Sequence, residues 1–360
     1  MAPSDPHQGE LTVRPAGPRD AAAWDAFVDG FPHHSPLARF LWRDILERRH
    51  GGTAHFLIAE TPGGAIEGVV ATYIVRSLRG RKRLFTLQRG LLATGTAATQ
   101  QLGAALAALI QREGISGGNI TGETPEPLAG LAASETTTLV IPLLGNDDEN
   151  WAALRDKTRN MVRKAERSGI TVRRGLAHLP ALYDIYAREM VARGIPIYSR
   201  GLWEDAARAF GDNARILVAQ HDGRTIGGVF LLFGRATACD FFQASRLETR
   251  KLAPIPLLLW ESMRDATAMG LSRLDLGPST PGGNTYKAKT NFGGVPETFA
   301  KYDLTKPRRP DDGEGASTAR VAVASAPSLR ARADTYLSQH AWWPIRYRFN
   351  LWKRRQTSMF

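Results

Sequence analysis

Two stretches of the chain, "HFLIAETPGGAIEGVVATYIV" from His55 and "RILVAQHDGRTIGGVFLLFG" from Arg215, repeat one pattern at a constant offset of 160 residues. Leu57, Ile58 and Ala59 fall on Leu217, Val218 and Ala219, and Ile66, Gly68 and Val69 fall on Ile226, Gly228 and Val229. Each stretch reads as a strand, a glycine-containing turn and a second strand, which is a β-hairpin. Downstream, "QLGAALAALIQREGISGGNITG" from Gln101 pairs with "PLLLWESMRDATAMGLSRLDLG" from Pro256. In both, an apolar-periodic helix closes on a glycine, Gly114 or Gly270, and a short strand follows. Two elements repeated in order point to a duplicated α/β module.

The repeat sets the boundaries. A first module over residues 1–147 ends just beyond "TTTLVIPL", and a second covers 148–304. "TKPRRPDDGEGASTAR" opens a flexible linker over 305–330, rich in Pro, Gly and charge, and a basic, aromatic tail occupies 331–360. Two modules suit a chain of 360 residues. A single cysteine, Cys239, excludes an internal disulfide and any cysteine-rich metal site. The opening "MAPSDPHQGELTV" lacks a signal-peptide core, and no window reaches about 18 uninterrupted apolar residues. A cytoplasmic protein is expected.

The net charge of +12 is concentrated. Residues 151–174 carry eight Lys/Arg against two acids, and residues 330–355 carry seven against one. Such patches attract phosphates, nucleic acid or anionic lipid, or simply solvate a face. In "KTRNMVRKAERSGI", Leu154, Thr158, Met161, Val162 and Ala165 share one helical arc, with Arg155, Lys157, Arg159, Asn160, Arg163, Lys164 and Arg167 around the rest. Asp148 or Asn150 is the expected start cap and Gly169 the expected end. Only Asp156 and Glu166 oppose these bases, so a polyanionic partner would relieve their repulsion.

This segment resembles the start of the second GNAT-like domain in the FemAB family, the peptidoglycan-bridge aminoacyltransferases and related acetyltransferase-domain proteins of exopolysaccharide and cell-envelope clusters. The pattern R-N-x-[IV]-R-K-A-x-x-x-G is met at Arg159, Asn160, Val162, Arg163, Lys164, Ala165 and Gly169. Further on, "LDLGPSTPGGNTYKAKTNFGG" resembles the family's closing K-x-x-[FW]-G segment at Lys289, Phe292 and Gly293, with Trp260, Gly270, Asp275 and Gly277 as signposts upstream. The chain departs from the family at Pro256, where an Asn is frequent, and at Ala288, where an aromatic is common. The phosphate-gripping loop of CoA-dependent GNAT enzymes is recognisable in neither module. The resemblance implies duplicated GNAT-like modules, each a mixed β-sheet flanked by helices, in the α/β (α+β) class.

The resemblance also implies acyl transfer to an amine, which needs a neutral amine, a polarised carbonyl and a stabilised oxyanion. Lys289, read as part of a glycine-flanked loop at a strand end, offers a mobile cation to an oxyanion or donor phosphate, a role the resemblance supports. Its neighbour Lys287 is a second, weaker substrate contact or a surface lysine in a turn. Asp240, read as just following a strand in "ATACDFFQAS", is a base, an anchor for the substrate amine, or a plain loop carboxylate. Tyr286 either donates to a carbonyl or packs. Arg159, Asn160, Arg163 and Lys164 would hold phosphates of an acceptor nucleotide or lipid, or of a tRNA acceptor stem.

His33 and His34 suggest metal, but no further ligand stands at the right spacing, so no metal site is expected. No tightly bound cofactor is expected either, the donor substrate being aminoacyl-tRNA or acyl-CoA. In the tail, Trp342, Trp343, Tyr347, Phe349 and Trp352 alternate with arginines, which suits peripheral contact with an anionic inner-membrane surface or packing on the protein. Three functions fit these features. The first is an aminoacyl- or acyltransferase acting on an amine of a cell-envelope or polysaccharide precursor. The others are a CoA-dependent N-acetyltransferase of exopolysaccharide biosynthesis and a non-catalytic RNA- or membrane-binding module.

Overall fold

The computed structural model describes residues 11–50, 53–76, 80–192 and 198–307. Among them the chain forms two compact units, one from residues 11–28, 37–135 and 299–307, the other from 29–36 and 136–298. The elements in chain order are β1 (Thr12–Pro15), α1 (Ala21–Asp29), α2 (Trp42–His50), β2 (Thr53–Glu60), β3 (Ile66–Arg76), β4 (Lys82–Ala93), α3 (Thr96–Glu113), β5 (Ile115–Glu123) and β6 (Leu131–Pro142). There follow α4 (Asp147–Ala153), α5 (Asp156–Arg167), β7 (Thr171–Arg174), α6 (Leu179–Ala192), α7 (Arg200–Phe210), β8 (Ala214–His221), β9 (Arg224–Phe233) and β10 (Thr237–Ser245). The last are α8 (Pro254–Ala268), β11 (Arg273–Pro278), α9 (Asn284–Asn291) and β12 (Val295–Pro307).

The two units repeat one topology. In the first, β1, β2, β3 and β4 pair antiparallel in sequence, and α3 then returns the chain so that β5 lies parallel to β4. In the second, β7, β8, β9 and β10 do the same, and α8 returns the chain so that β11 lies parallel to β10. The repeated hairpins of the sequence are β2–β3 and β8–β9. Gly114 closes α3 at φ 61, its N–H donating to Ile110 and Gln111 carbonyls, and Gly270 takes φ 74 just beyond α8. Left-handed backbone of this kind is nearly free for glycine, so both helices stop where the sequence places them.

The sixth strand of each sheet is exchanged. β6 leaves β5 but pairs antiparallel with β11 through Thr138, Val140, Ile141 and Pro142, and β12 follows α9 but pairs antiparallel with β5 through Ala300–Asp303. The compact units therefore interleave instead of following the expected cuts at 147 and 304, because the chain changes unit within β6 and again within β12. The start of the expected linker, 305–307, completes β12; residues 308–360, with the rest of the linker and the tail, lie outside the described residues.

Each unit has its own core. In the first, Leu102, Leu106 and Leu109 of α3 pack on Val70, Ile74, Leu84, Leu91 and Ile120. Trp24, 5.0 Å from Phe56 and 5.8 Å from Phe40 between ring centroids, joins α1 to the sheet. In the second, Leu257, Leu258 and Met263 of α8 and Val162 and Ala165 of α5 cover Leu217, Val229 and Leu231.

Close approach of β4 and β5 depends on glycine: a Cβ at Gly122 would overlap the Leu91 carbonyl oxygen. Gly122→Ala is expected to cost about 3 kcal/mol, the upper end of ordinary overpacking. Denaturant unfolding should show a lowered midpoint at constant m-value.

Candidate active site

The parallel pair β10–β11 opens at its carboxyl end. Pairing runs Thr237–Arg273, Ala238–Leu274 and Cys239–Asp275 and goes no further, although β10 continues to Ser245. On their far sides both strands are irregular at this point, β10 against β9 between Asp240 and Phe242 and β11 against β6 between Asp275 and Pro278. Parting strand ends in an open α/β sheet expose backbone and side chains that pairing would otherwise consume. Asp240 and Asp275 both sit there, buried.

Lys289 corrects the sequence reading: it lies on helix α9, not in a loop, and is only 9% exposed. Its ammonium donates to the Gly277 carbonyl at 2.8 Å and to the Pro278 carbonyl at 3.4 Å. The mobile surface cation is thus an ordered, desolvated one. The end of α9 explains the K-x-x-F-G spacing. Phe292 is buried in the core of the unit, Gly293 takes φ 105, and Gly294 donates back to the Lys289 carbonyl at 2.9 Å. Helix α5 holds the same end, with Thr158 Oγ1 donating to the Asn291 carbonyl at 2.8 Å and Arg155 to Asn291 Oδ1 at 3.0 Å.

Asp240 also differs from expectation, lying within β10 and buried, not in a loop after it. Oδ2 accepts from Gln243 Nε2 at 2.6 Å, while Oδ1 has no hydrogen-bond partner. Burial pushes this carboxyl up to about 7; the Lys289 ammonium pulls it down and the Asp275 charge adds to burial. Burial in turn holds Lys289 below the ordinary lysine range, against the pull of Asp240 and Asp275. The arrangement is a buried acid and a buried base, and burial disfavours the charged form of each. The adjacent Cys239 thiol is pushed well up by burial, which makes it a poor nucleophile.

The remaining sequence candidates divide. Tyr286 packs half-buried against the core of the second unit, and Lys287 is exposed on α9. The basic segment is broken in two: α4 is capped by Asn146, whose Oδ1 accepts from Glu149 N, and the chain is extended at Leu154 before α5 begins. Asp148 and Asn150 lie inside α4. Asn150 is buried, bonded to both backbone groups of Leu144 and to Thr267, and Gly169 takes φ 77 just beyond α5 as expected. Arg159 is not a free basic group, since it caps the end of α4 through the Trp151 and Ala152 carbonyls and pairs with Asp156. Asn160, Arg163 and Lys164 are exposed, with Arg163 lying 5.3 Å over the Trp151 ring. Met161, expected on the apolar arc, is 38% exposed.

Two participants escaped the sequence reading. Asp275 stood out only as a signpost, and Thr138 gave no signal at all in "TTTLVIP". Thr138 Oγ1 and Gly277 N both donate to Asp275 Oδ1, the latter at 2.8 Å. At the matching place in the first unit, β4 carries buried Arg89 at φ 56, paired with Glu123 and 4.8 Å over the Phe299 ring. There β4 and β5 resume pairing at Leu91–Gly122 and Leu92–Glu123, and the chain's own ion pair stands beside the irregularity. His34 is structural: Nε2 accepts from Ala236 N at 3.1 Å and Nδ1 donates to the Phe31 carbonyl at 3.0 Å. Among the described residues no three His, Cys, Asp or Glu side chains converge as metal ligands.

The raised Asp240 carboxyl has a definite consequence for stability. Its folded value near 7 lies above the ordinary 3.8, so the folded chain holds that proton more tightly than the unfolded one. That contribution is complete at acid pH and is lost as pH rises through about 7. The melting temperature of the protein relative to Asp240→Asn should therefore fall between about pH 4 and about pH 7 and level off above, and parallel curves would refute the buried titration.

Residues 152–288 match the acetyltransferase (GNAT) domain family. The fold is similar to that of FemX, at a TM-score of 0.65 and 15% identity over 81% of this chain and 97% of that one. A conserved protein of unknown function from Bacteroides thetaiotaomicron VPI-5482 gives 0.54 and 11%, over 81% of this chain and 98% of that one. A tandem GNAT protein from the clavulanic acid biosynthesis pathway gives 0.52 and 13%, over 83% of this chain and 100% of that one. No curated protein sequence matches the chain. The duplicated sheet topology and the domain match agree: the chain has the fold of FemX and of the tandem GNAT protein, and its residues 152–288 form an acetyltransferase (GNAT) domain.

Proposed function

We propose that the site at the parting of β10 and β11 transfers an acyl or aminoacyl group from an activated donor to a primary amine of an envelope or polysaccharide precursor. The observation that carries this reading is the buried Lys289 ammonium set against an Asp240 carboxyl with one oxygen unpartnered. The acceptor nitrogen attacks the donor carbonyl, its proton passes to Asp240 Oδ1, and Lys289 faces the developing oxyanion. Collapse of the tetrahedral species expels the donor's alcohol or thiol. Tyr286 stands three residues before Lys289 on α9, half-buried against the core.

The donor is aminoacyl-tRNA or acyl-CoA, neither held as a resident cofactor. The exposed Asn160, Arg163 and Lys164 would meet the donor's or acceptor's phosphates, and Lys287 lies exposed on α9 as a secondary contact. The acetyltransferase domain match favours acyl-CoA, and an almost unopposed basic helix favours a larger polyanion. The donor that raises the melting temperature at saturation is the substrate. A cytoplasmic location suits either donor. Among the described residues no helix is long and apolar enough to cross a membrane.

Three outcomes are expected. Lys289→Met should lower the single-turnover rate by about 100-fold or more, as loss of an oxyanion donor does, while exposed Lys287→Met changes it little. Equal losses in both would reduce the lysines to a general field. The rate should rise with pH through about 7 as Asp240 loses its proton, and Asp240→Asn should remove that limb. Charge reversal at Arg163 and Lys164 should weaken donor binding and flatten its salt dependence, whereas Arg159→Ala should lower the melting temperature by uncapping α4. Unchanged affinity after reversal would leave the helix a solvated surface.

A further inference from the structure

A chain of hydrogen bonds runs from the exchanged strand to the site lysine. β11 bulges against β6: Asp275 faces Val140 and Pro278 faces Thr138, so the two residues between, Leu276 and Gly277, are accommodated opposite Leu139 alone. Regular contact resumes where Ser279 N donates to the Thr137 carbonyl at 2.9 Å. Inside the bulge, Asp275 Oδ1 takes the Thr138 hydroxyl and the Gly277 N–H together. Gly277 is held at φ 79, a backbone state that side chains disfavour, and its carbonyl points at the Lys289 ammonium, 2.8 Å away. An ammonium has three N–H donors. Gly277 and Pro278 carbonyls take two, which leaves one for a third acceptor.

We propose that Thr138 and Asp275 are positioning residues for acyl transfer: the Thr138 hydroxyl orients Asp275, Asp275 locks the Gly277 bulge, and the bulge seats Lys289 with one N–H aimed at the acyl oxygen. The inference rests on the acyl-transfer reading of this site. Two features set it apart from packing alone. Thr138 is fully buried with its hydroxyl committed to a carboxylate, where Val would fill the same space. It also lies on β6, the strand the second unit receives from the first unit's chain, so the seat of the lysine is completed only when that strand pairs.

The test follows Lys289 directly, through the pH titration of its side-chain NMR signals in full-length protein, assigned with Lys289→Met. The charged groups facing Lys289 are Asp240, Asp275 and the Cys239 thiol, and all remain in Thr138→Val and Thr138→Ser. In Thr138→Val the midpoint should fall by about one pH unit, the differential worth of one carbonyl acceptor to an ammonium. Thr138→Ser should restore it. If Thr138→Val does not fold, Thr138→Ala carries the same expectation. With whichever of acetyl-CoA and aminoacyl-tRNA raises the melting temperature, Thr138→Val should lower kcat about 10-fold with KM nearly unchanged. In a Lys289→Met background it should then have no further effect. An unmoved or raised midpoint, or equal behaviour of Val and Ser, overturns the proposal. Full activity in Lys289→Met would instead overturn the acyl-transfer reading, and the titration would still report on the seat.

Discussion

Neither sheet is complete until the chain has passed through both units. Each unit makes four antiparallel strands and one parallel strand from its own contiguous segment, then takes its sixth strand from the chain that built the other. Without that strand, β5 and β11 would each present an unpaired backbone edge, which proteins avoid leaving open. The exchange also converts two local folding problems into long-range ones. β6 and β11 are joined through Thr138 and Asp275, 137 residues apart in the chain, so closure of the second unit carries the entropic cost of a long loop.

The same strand carries the polar group on which the candidate site depends. Burying an ammonium and two carboxylates is unfavourable unless each finds partners. Here Lys289 has two carbonyls, Asp275 has a hydroxyl and a peptide N–H, and Asp240 has one amide with one oxygen bare. Within this trio, the bare oxygen and the remaining ammonium proton are where desolvation is left without a partner. A substrate amine and an acyl carbonyl are the chemical complements of that pair. The first unit shows the alternative: there β4 and β5 stay paired to Glu123, and Arg89 finds its charge partner in that residue.

Much of this was legible, with instructive failures. The hairpin repeat and the two glycine-terminated helices appear in the structure as read, because period, turn residues and caps are local properties. By sequence Lys289 reads as a loop residue, since "GGNTYKAKTN" contains glycine, asparagine and threonine, all weak helix formers. The helix forms because its end is clamped by buried Phe292 and by Thr158 and Arg155 from α5. Arg159 departs from expectation in the opposite sense. Its identity fits a basic face, but the break at Leu154 creates carbonyls at the end of α4 that only the folded chain brings to it.

Sequence by itself determined the duplication, the α/β class and the excess of positive charge on α5. These follow from residue type and spacing, which act over a few turns or one hairpin. Tertiary structure decided which strand closes each sheet, that Lys289 and Asp240 are buried rather than mobile, and that the Thr138 hydroxyl meets Asp275. Those facts depend on desolvation and on partners more than a hundred residues away, and neither leaves a mark in the local pattern of a sequence.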